Sequence, residues 1–73
     1  MNTERIVKTI IMELEADKLK IEENLELVIN SEIEAETKIE RIKTLMNKLV
    51  LTEASLAKFI KMMTLNNNEA KKD

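Results

Sequence analysis

The sequence predicts an all-α protein whose long amphipathic helices associate as an antiparallel coiled coil or as a helical-hairpin bundle. The chain of 73 residues contains no glycine and no proline, although average usage would supply about nine of them. Leu, Glu and Lys, which favour helices, are abundant. Apolar residues also recur at alternating steps of four and three along most of the chain, a pattern typical of helices that pack on one another.

This apolar repeat defines one predicted seam, which begins at Val7 and keeps its phase to Met63. Only Lys18, Glu32 and Glu53 interrupt it with charge. About eight heptads in one phase exceed the three or four that indicate a coiled coil, so we expect the seam to hold an oligomer together. The large apolar members of the predicted seam are Val7, Ile11, Leu14, Ile21, Leu25, Val28, Ile39, Ile42, Met46, Leu49, Leu56, Ile60 and Met63.

The apolar face is wider at the two ends of the chain than in its middle. Helices of bundles with three or more members need a face wider than the two seam positions. We therefore expect more neighbouring helices at the two ends than in the middle. The widening residues are Ile6 and Ile10 near the N-terminus, and Leu45, Val50, Ala57, Phe59 and Met62 near the C-terminus.

Two sites could break the helix. Near residues 30–31, Ser31 and the glutamate three residues later have the spacing of a capping box. Near residues 51–52, Thr52 could act as an N-cap. Because the apolar phase continues through both sites, a break and a continuous helix remain equally open at each.

The chain is short enough for one domain. We predict a single helical domain over residues 1–65, with its first helix beginning near Asn2 or Thr3 and its last helix fraying after Leu65. Three consecutive asparagines follow, and residues 66–73 are predicted to be a polar, flexible tail.

The charge distribution favours antiparallel packing. Residues 1–40 contain eleven acidic and five basic side chains, and residues 41–73 contain three acidic and seven basic ones. An antiparallel arrangement places the acidic half of one helix against the basic half of another. It also brings Lys18 close to Glu53, and polar residues within an apolar seam often determine its register. Lys18 and Glu53 are therefore the predicted register-setting pair.

Composition argues against an enzyme. The chain has no cysteine and no histidine, which excludes disulfides, thiol nucleophiles, histidine acid–base chemistry and ordinary zinc sites. Without glycine it has no phosphate-binding loop. We expect no catalytic, cofactor-binding or metal-binding residues. We also expect a cytoplasmic protein without a membrane partner, because no apolar run approaches the roughly 18 residues of a membrane span.

The segment "LVLTEASLAKFIKMM", residues 49–63, allows two interpretations. It could open a DNA-binding helix-turn-helix, or it could continue the predicted seam. A recognition helix would have to follow a short turn, but an asparagine run and the end of the chain follow instead. We therefore assign the segment to the seam and do not expect nucleic acid as a partner.

Residues 45–65, "LMNKLVLTEASLAKFIKMMTL", resemble the C-terminal part of the heptad region in the short helical chaperones of T4-like phages that help tail-fibre proteins trimerise. The resemblance covers under a third of the chain. The polar, glycine-containing segment that follows in that family is missing here. The resemblance implies a small, helical, oligomeric assembly protein without catalysis, and it transfers no functional residues.

Three function classes follow. The first is a homo-oligomeric structural or assembly-chaperone protein that acts through protein–protein interaction. The second is a small helical regulator or inhibitor, of the kind that phages or mobile elements encode, which binds a host or target protein. A third is a sponge that holds small ligands between helices. A possible partner surface comprises Phe59, Met62, Leu19 and Leu27.

Overall fold

The chain folds into a helical hairpin. A computed structural model describes residues 3–71, with side chains described for residues 3–64. Helix α1 spans Thr3–Ile29 and helix α2 spans Ala35–Lys71; the two are antiparallel and packed against each other. The predicted all-α class is confirmed, and of the two predicted topologies the hairpin is observed. The rod measures 59 × 19 × 15 Å, so it is a single layer of two helices.

The connection between the helices ends α1 without a glycine. The backbone N–H of Ser31 donates to the carbonyl of Val28 at 3.1 Å, and the Ser31 hydroxyl donates to the same carbonyl at 2.6 Å. Both bonds satisfy a carbonyl that has no partner within the helix. No described residue has a positive φ, so the chain turns without the left-handed residue that often follows a helix.

Lys38 ties the start of α2 to the end of α1. Its ammonium group donates to the carbonyl of Ser31 at 3.0 Å, and its backbone N–H donates to the carbonyl of Glu34 at 2.9 Å. Helix α1 has no basic residue in its last turn. Lys38 therefore supplies the positive charge that the C-terminal end of a helix dipole favours.

The structure decides the open questions about helix boundaries. The chain breaks at the first site but continues through the second, because Thr52 lies inside α2. The capping-box interpretation of Ser31 is wrong: α2 begins at Ala35, and the Ser31 hydroxyl caps α1 instead. Helix α2 also runs to Lys71, beyond Leu65, where the last helix was expected to fray.

The face of α1 that packs on α2 follows the predicted seam. Every seam position of this helix is buried or half-buried, and Leu25, at 8% exposure, is the one buried residue among residues 3–64. In the hairpin these residues contact a helix of the same chain. The buried or half-buried residues of α1 are these seven seam residues and the adjacent Ile10: Val7, Ile10, Ile11, Leu14, Lys18, Ile21, Leu25 and Val28.

Helix α2 is rotated relative to the prediction. At alternate seam positions of α2 the predicted residue does lie on the face toward α1. At the seam positions between them, the residue one place earlier in the sequence lies on that face instead. Lys38, Leu45 and Phe59 are half-buried where Ile39, Met46 and Ile60 were expected, and those three are exposed. The connection breaks the continuity of the helix, so α2 need not keep the phase of α1. The half-buried residues of α2 are Lys38, Ile42, Leu45, Leu49, Thr52, Leu56, Phe59 and Met63.

Candidate protein-interaction surface

The rotation of α2 leaves an apolar stripe on its surface. Ile39, Met46, Val50 and Ile60 are 52, 44, 57 and 41% exposed. They are separated by seven, four and ten residues, and these steps bring side chains back to the same face of a helix. We call these four residues the α2 stripe. At 1.5 Å per residue the α2 stripe is about 30 Å long.

The side of the hairpin that carries the α2 stripe is largely charged on α1. Glu53 lies within the stripe's helical face, and its carboxylate is 3.5 Å from the Lys18 ammonium group on α1. Lys18 in turn shares a shallow groove with Glu15, Glu22 and the exposed Leu19. The apolar surface on this side therefore comprises the α2 stripe together with Leu19, and the charge within the stripe's face is paired with Lys18.

The antiparallel ion pair between Lys18 and Glu53 is present within one chain. Their side chains are 37 and 48% exposed, so water screens the pair and its contribution is small. The contact agrees with the antiparallel pairing expected from the charge distribution. The role of the pair in setting register stays a prediction.

A different pair of grooves runs along the other side of the hairpin. The larger, of about 480 Å³, is open to solvent and is lined by Leu27, Val28 and Leu45 with Arg41 and Thr44 among its polar residues. A second groove continues along the helices toward the other end, beside Leu51 and Lys48. We call these the Leu27 groove and the Leu51 groove. Neither contains a residue of the α2 stripe.

The predicted partner surface is divided in the structure. Leu19, Leu27 and Met62 are exposed and are spread around the hairpin. Phe59 is half-buried on the face toward α1. The four residues therefore do not form one surface on a single hairpin.

Sequence reasoning missed three contributions to the contact between the helices. Lys38 and Thr52 are polar, so no apolar pattern could indicate them. Ile33, in the connection, is half-buried and lies outside the repeat. Leu45 and Phe59 could be identified from the sequence as candidates for this contact, since both widen the predicted apolar face.

The described part of the chain contains no cluster of three acidic side chains suited to a metal ion. Neither described helix is long and apolar enough to cross a membrane. The chain matches no protein-family model, and no curated protein or solved structure is significantly similar to it.

Proposed function

We propose that this protein is a non-enzymatic homo-oligomer that acts by protein–protein interaction, as a structural or assembly-chaperone component. One observation carries the proposal: the hairpin exposes large apolar side chains along its whole length while burying almost none. Among residues 3–64, Leu25 is the one residue that is buried. A single two-helix layer offers each apolar face only one neighbour.

The exposed area supports the proposal quantitatively. The hairpin exposes 6267 Å², whereas a compact monomer of 8.5 kDa is expected to expose about 4,700 Å². The surplus is about a third of the expected value. Ordering a chain costs about 1–2 kcal/mol per residue in backbone entropy, and chains this small usually need additional stabilisation such as oligomerisation. Association with further helices would supply the missing burial.

The resemblance of residues 45–65 to tail-fibre assembly chaperones supports an assembly role. That segment contains both half-buried residues that face α1, such as Leu49 and Phe59, and exposed residues such as Met62. Methionine side chains adapt to irregular partner surfaces. In this proposal the oligomer is formed first, and surfaces that remain exposed contact a larger multimeric client.

Sedimentation equilibrium combined with circular dichroism tests the oligomer. We expect a mass that is a multiple of 8.5 kDa and a melting temperature that rises with protein concentration, because association and folding are linked. A helical monomer at micromolar concentration would contradict the proposal. The assembly role further predicts that the oligomer co-purifies with a fibrous or multimeric protein.

The second candidate function is a small regulator that docks on one target protein. The Leu27 groove favours it, because Leu27 is 70% exposed beside Val28 and Leu45 and an apolar groove suits a partner side chain. This function predicts a single dominant partner. Leu27→Glu should then abolish the complex while helicity and oligomer mass stay unchanged, whereas an assembly protein would keep its multimeric client after changes confined to one groove.

A further inference from the structure

We infer that the α2 stripe is the surface through which two copies of the hairpin associate, with the stripe of one copy against the stripe of the other. The inference rests on the proposed homo-oligomer and specifies its interface. A symmetric dimer uses the same patch on both copies, so the patch must be complementary to itself. The four aliphatic side chains Ile39, Met46, Val50 and Ile60 meet that condition.

The charges on this side of the hairpin favour the stripe of a second copy, rather than its helix α1, as the partner of the α2 stripe. On the side of the hairpin that carries the stripe, α1 presents three charged residues, Glu15, Lys18 and Glu22, beside a shallow groove that is also lined by the exposed Leu19. Apolar side chains packed on these groups would remove their water without replacing its hydrogen bonds. The stripe of a second copy removes water from fewer charged groups, because Glu53 is the one charged residue within its helical face and it keeps Lys18 as its partner.

The available area is sufficient for the contact. A standard interface removes about 800 Å² from each partner. The hairpin exposes 6267 Å², which is about 1,600 Å² more than a compact monomer of its size would. The stripe, about 30 Å long, is the part of this surplus that a second copy would cover, and the Leu27 and Leu51 grooves on the other side would remain open for a different protein.

Matched double variants test which side of the hairpin forms the dimer. Met46→Glu/Val50→Glu introduces two carboxylates into the stripe. The control, Leu51→Glu/Met62→Glu, introduces the same charge at two exposed positions of the same helix outside the stripe, at 67 and 50% exposure. We expect the mass from sedimentation equilibrium to fall to that of a monomer for the stripe variant, at concentrations where the wild type and the control remain dimers.

The other outcomes are equally informative. If both variants remain dimers, or if only the control dissociates, the stripe is not the interface and the inference is overturned, while the homo-oligomer itself stands. If the wild type is a monomer, the proposed function fails together with the inference.

Cysteine cross-linking keeps the test valid if the glutamate variant does not fold. The chain has no native cysteine, so Val50→Cys introduces a single thiol near the middle of the stripe. Whether the two stripes run parallel or antiparallel, the two copies of residue 50 lie close together, and mild oxidation should give a disulfide-linked dimer in high yield. Leu51→Cys, on the adjacent but differently facing residue, should remain largely uncrosslinked. Equal yields from the two variants would overturn the inference.

Discussion

Replacing Leu25 by alanine tests whether the hairpin contact stabilises this protein. Leu25 is 8% exposed, so the part of the side chain that the substitution removes is almost entirely buried in the contact between the two helices. At about 0.8 kcal/mol for each of the three carbons removed, the lost burial amounts to about 2–2.5 kcal/mol. The cavity contributes little more, because the neighbouring Asn24 and Val28 line an open groove into which the surroundings can relax. We expect unfolding to become easier by about 2–3 kcal/mol, in the lower part of the known range for buried leucines.

Leu27→Ala is the matched control, two residues further along the same helix. Leu27 is 70% exposed, so the same chemical change should cost less than about 1 kcal/mol. Urea and thermal unfolding followed by far-ultraviolet circular dichroism, at equal protein concentrations, measures both variants. For a chain of this size about 1 kcal/mol shifts the melting temperature by about 4–8 °C, so a difference of about 1–3 kcal/mol should separate the two variants by at least about 4 °C. Equal losses of stability would refute the packing of α1 on α2.

Three further predictions address the topology, the ion pair and the connection. Spin labels at Val7→Cys and Met63→Cys, diluted with unlabelled chain, should lie within about 25 Å of each other, since helices pack at about 8–10 Å; a continuous helix would separate them by about 84 Å. Lys18→Glu should destabilise the protein by up to about 1 kcal/mol, and adding Glu53→Lys should restore the loss; a double-mutant cycle without coupling would contradict the pairing. Ser31→Ala removes the hydroxyl that caps α1 and should cost about 0.5–1.5 kcal/mol in urea unfolding, while Ser31→Thr, which retains a hydroxyl donor, should lose less.

The face of α1 could be predicted from the sequence because its pattern is unambiguous. From Val7 to Val28 the repeat of four and three residues selects one face, and the charged residues around it exclude the others. A lysine on this apolar face requires a partner of opposite charge, and the Glu53 carboxylate is the partner of Lys18. For this helix the prediction needed no information from the rest of the fold.

The connection was harder to predict because its bonds depend on both helices. Ser31 and Glu34 have the spacing of a capping box, yet the same serine hydroxyl can equally donate to the carbonyl of Val28. A hydroxyl can donate one bond and accept another, so the two capping roles do not exclude each other. Local spacing therefore contains the candidates for a cap but does not determine that α2 begins only at Ala35.

The face of α2 could not be predicted uniquely because two apolar repeats overlap on it. Both repeats share Ile42, Leu49, Leu56 and Met63. One adds Leu45 and Phe59 together with the polar Lys38 and Thr52, and the other adds Ile39, Met46 and Ile60 together with Glu53.

The hairpin turns the less apolar of these two repeats toward α1. Turning the other repeat toward α1 would bury one more large apolar side chain, at about 1.5–3 kcal/mol, but it would also bury the charged Glu53 at a comparable cost. In the hairpin Glu53 is partly exposed beside Lys18, and Ile39, Met46 and Ile60 are exposed. A helix with two apolar repeats on adjacent faces can satisfy both only by packing on two neighbours, as helices do in bundles. Helix α1 is one of these neighbours, and the proposed interface makes a second copy of the hairpin the other.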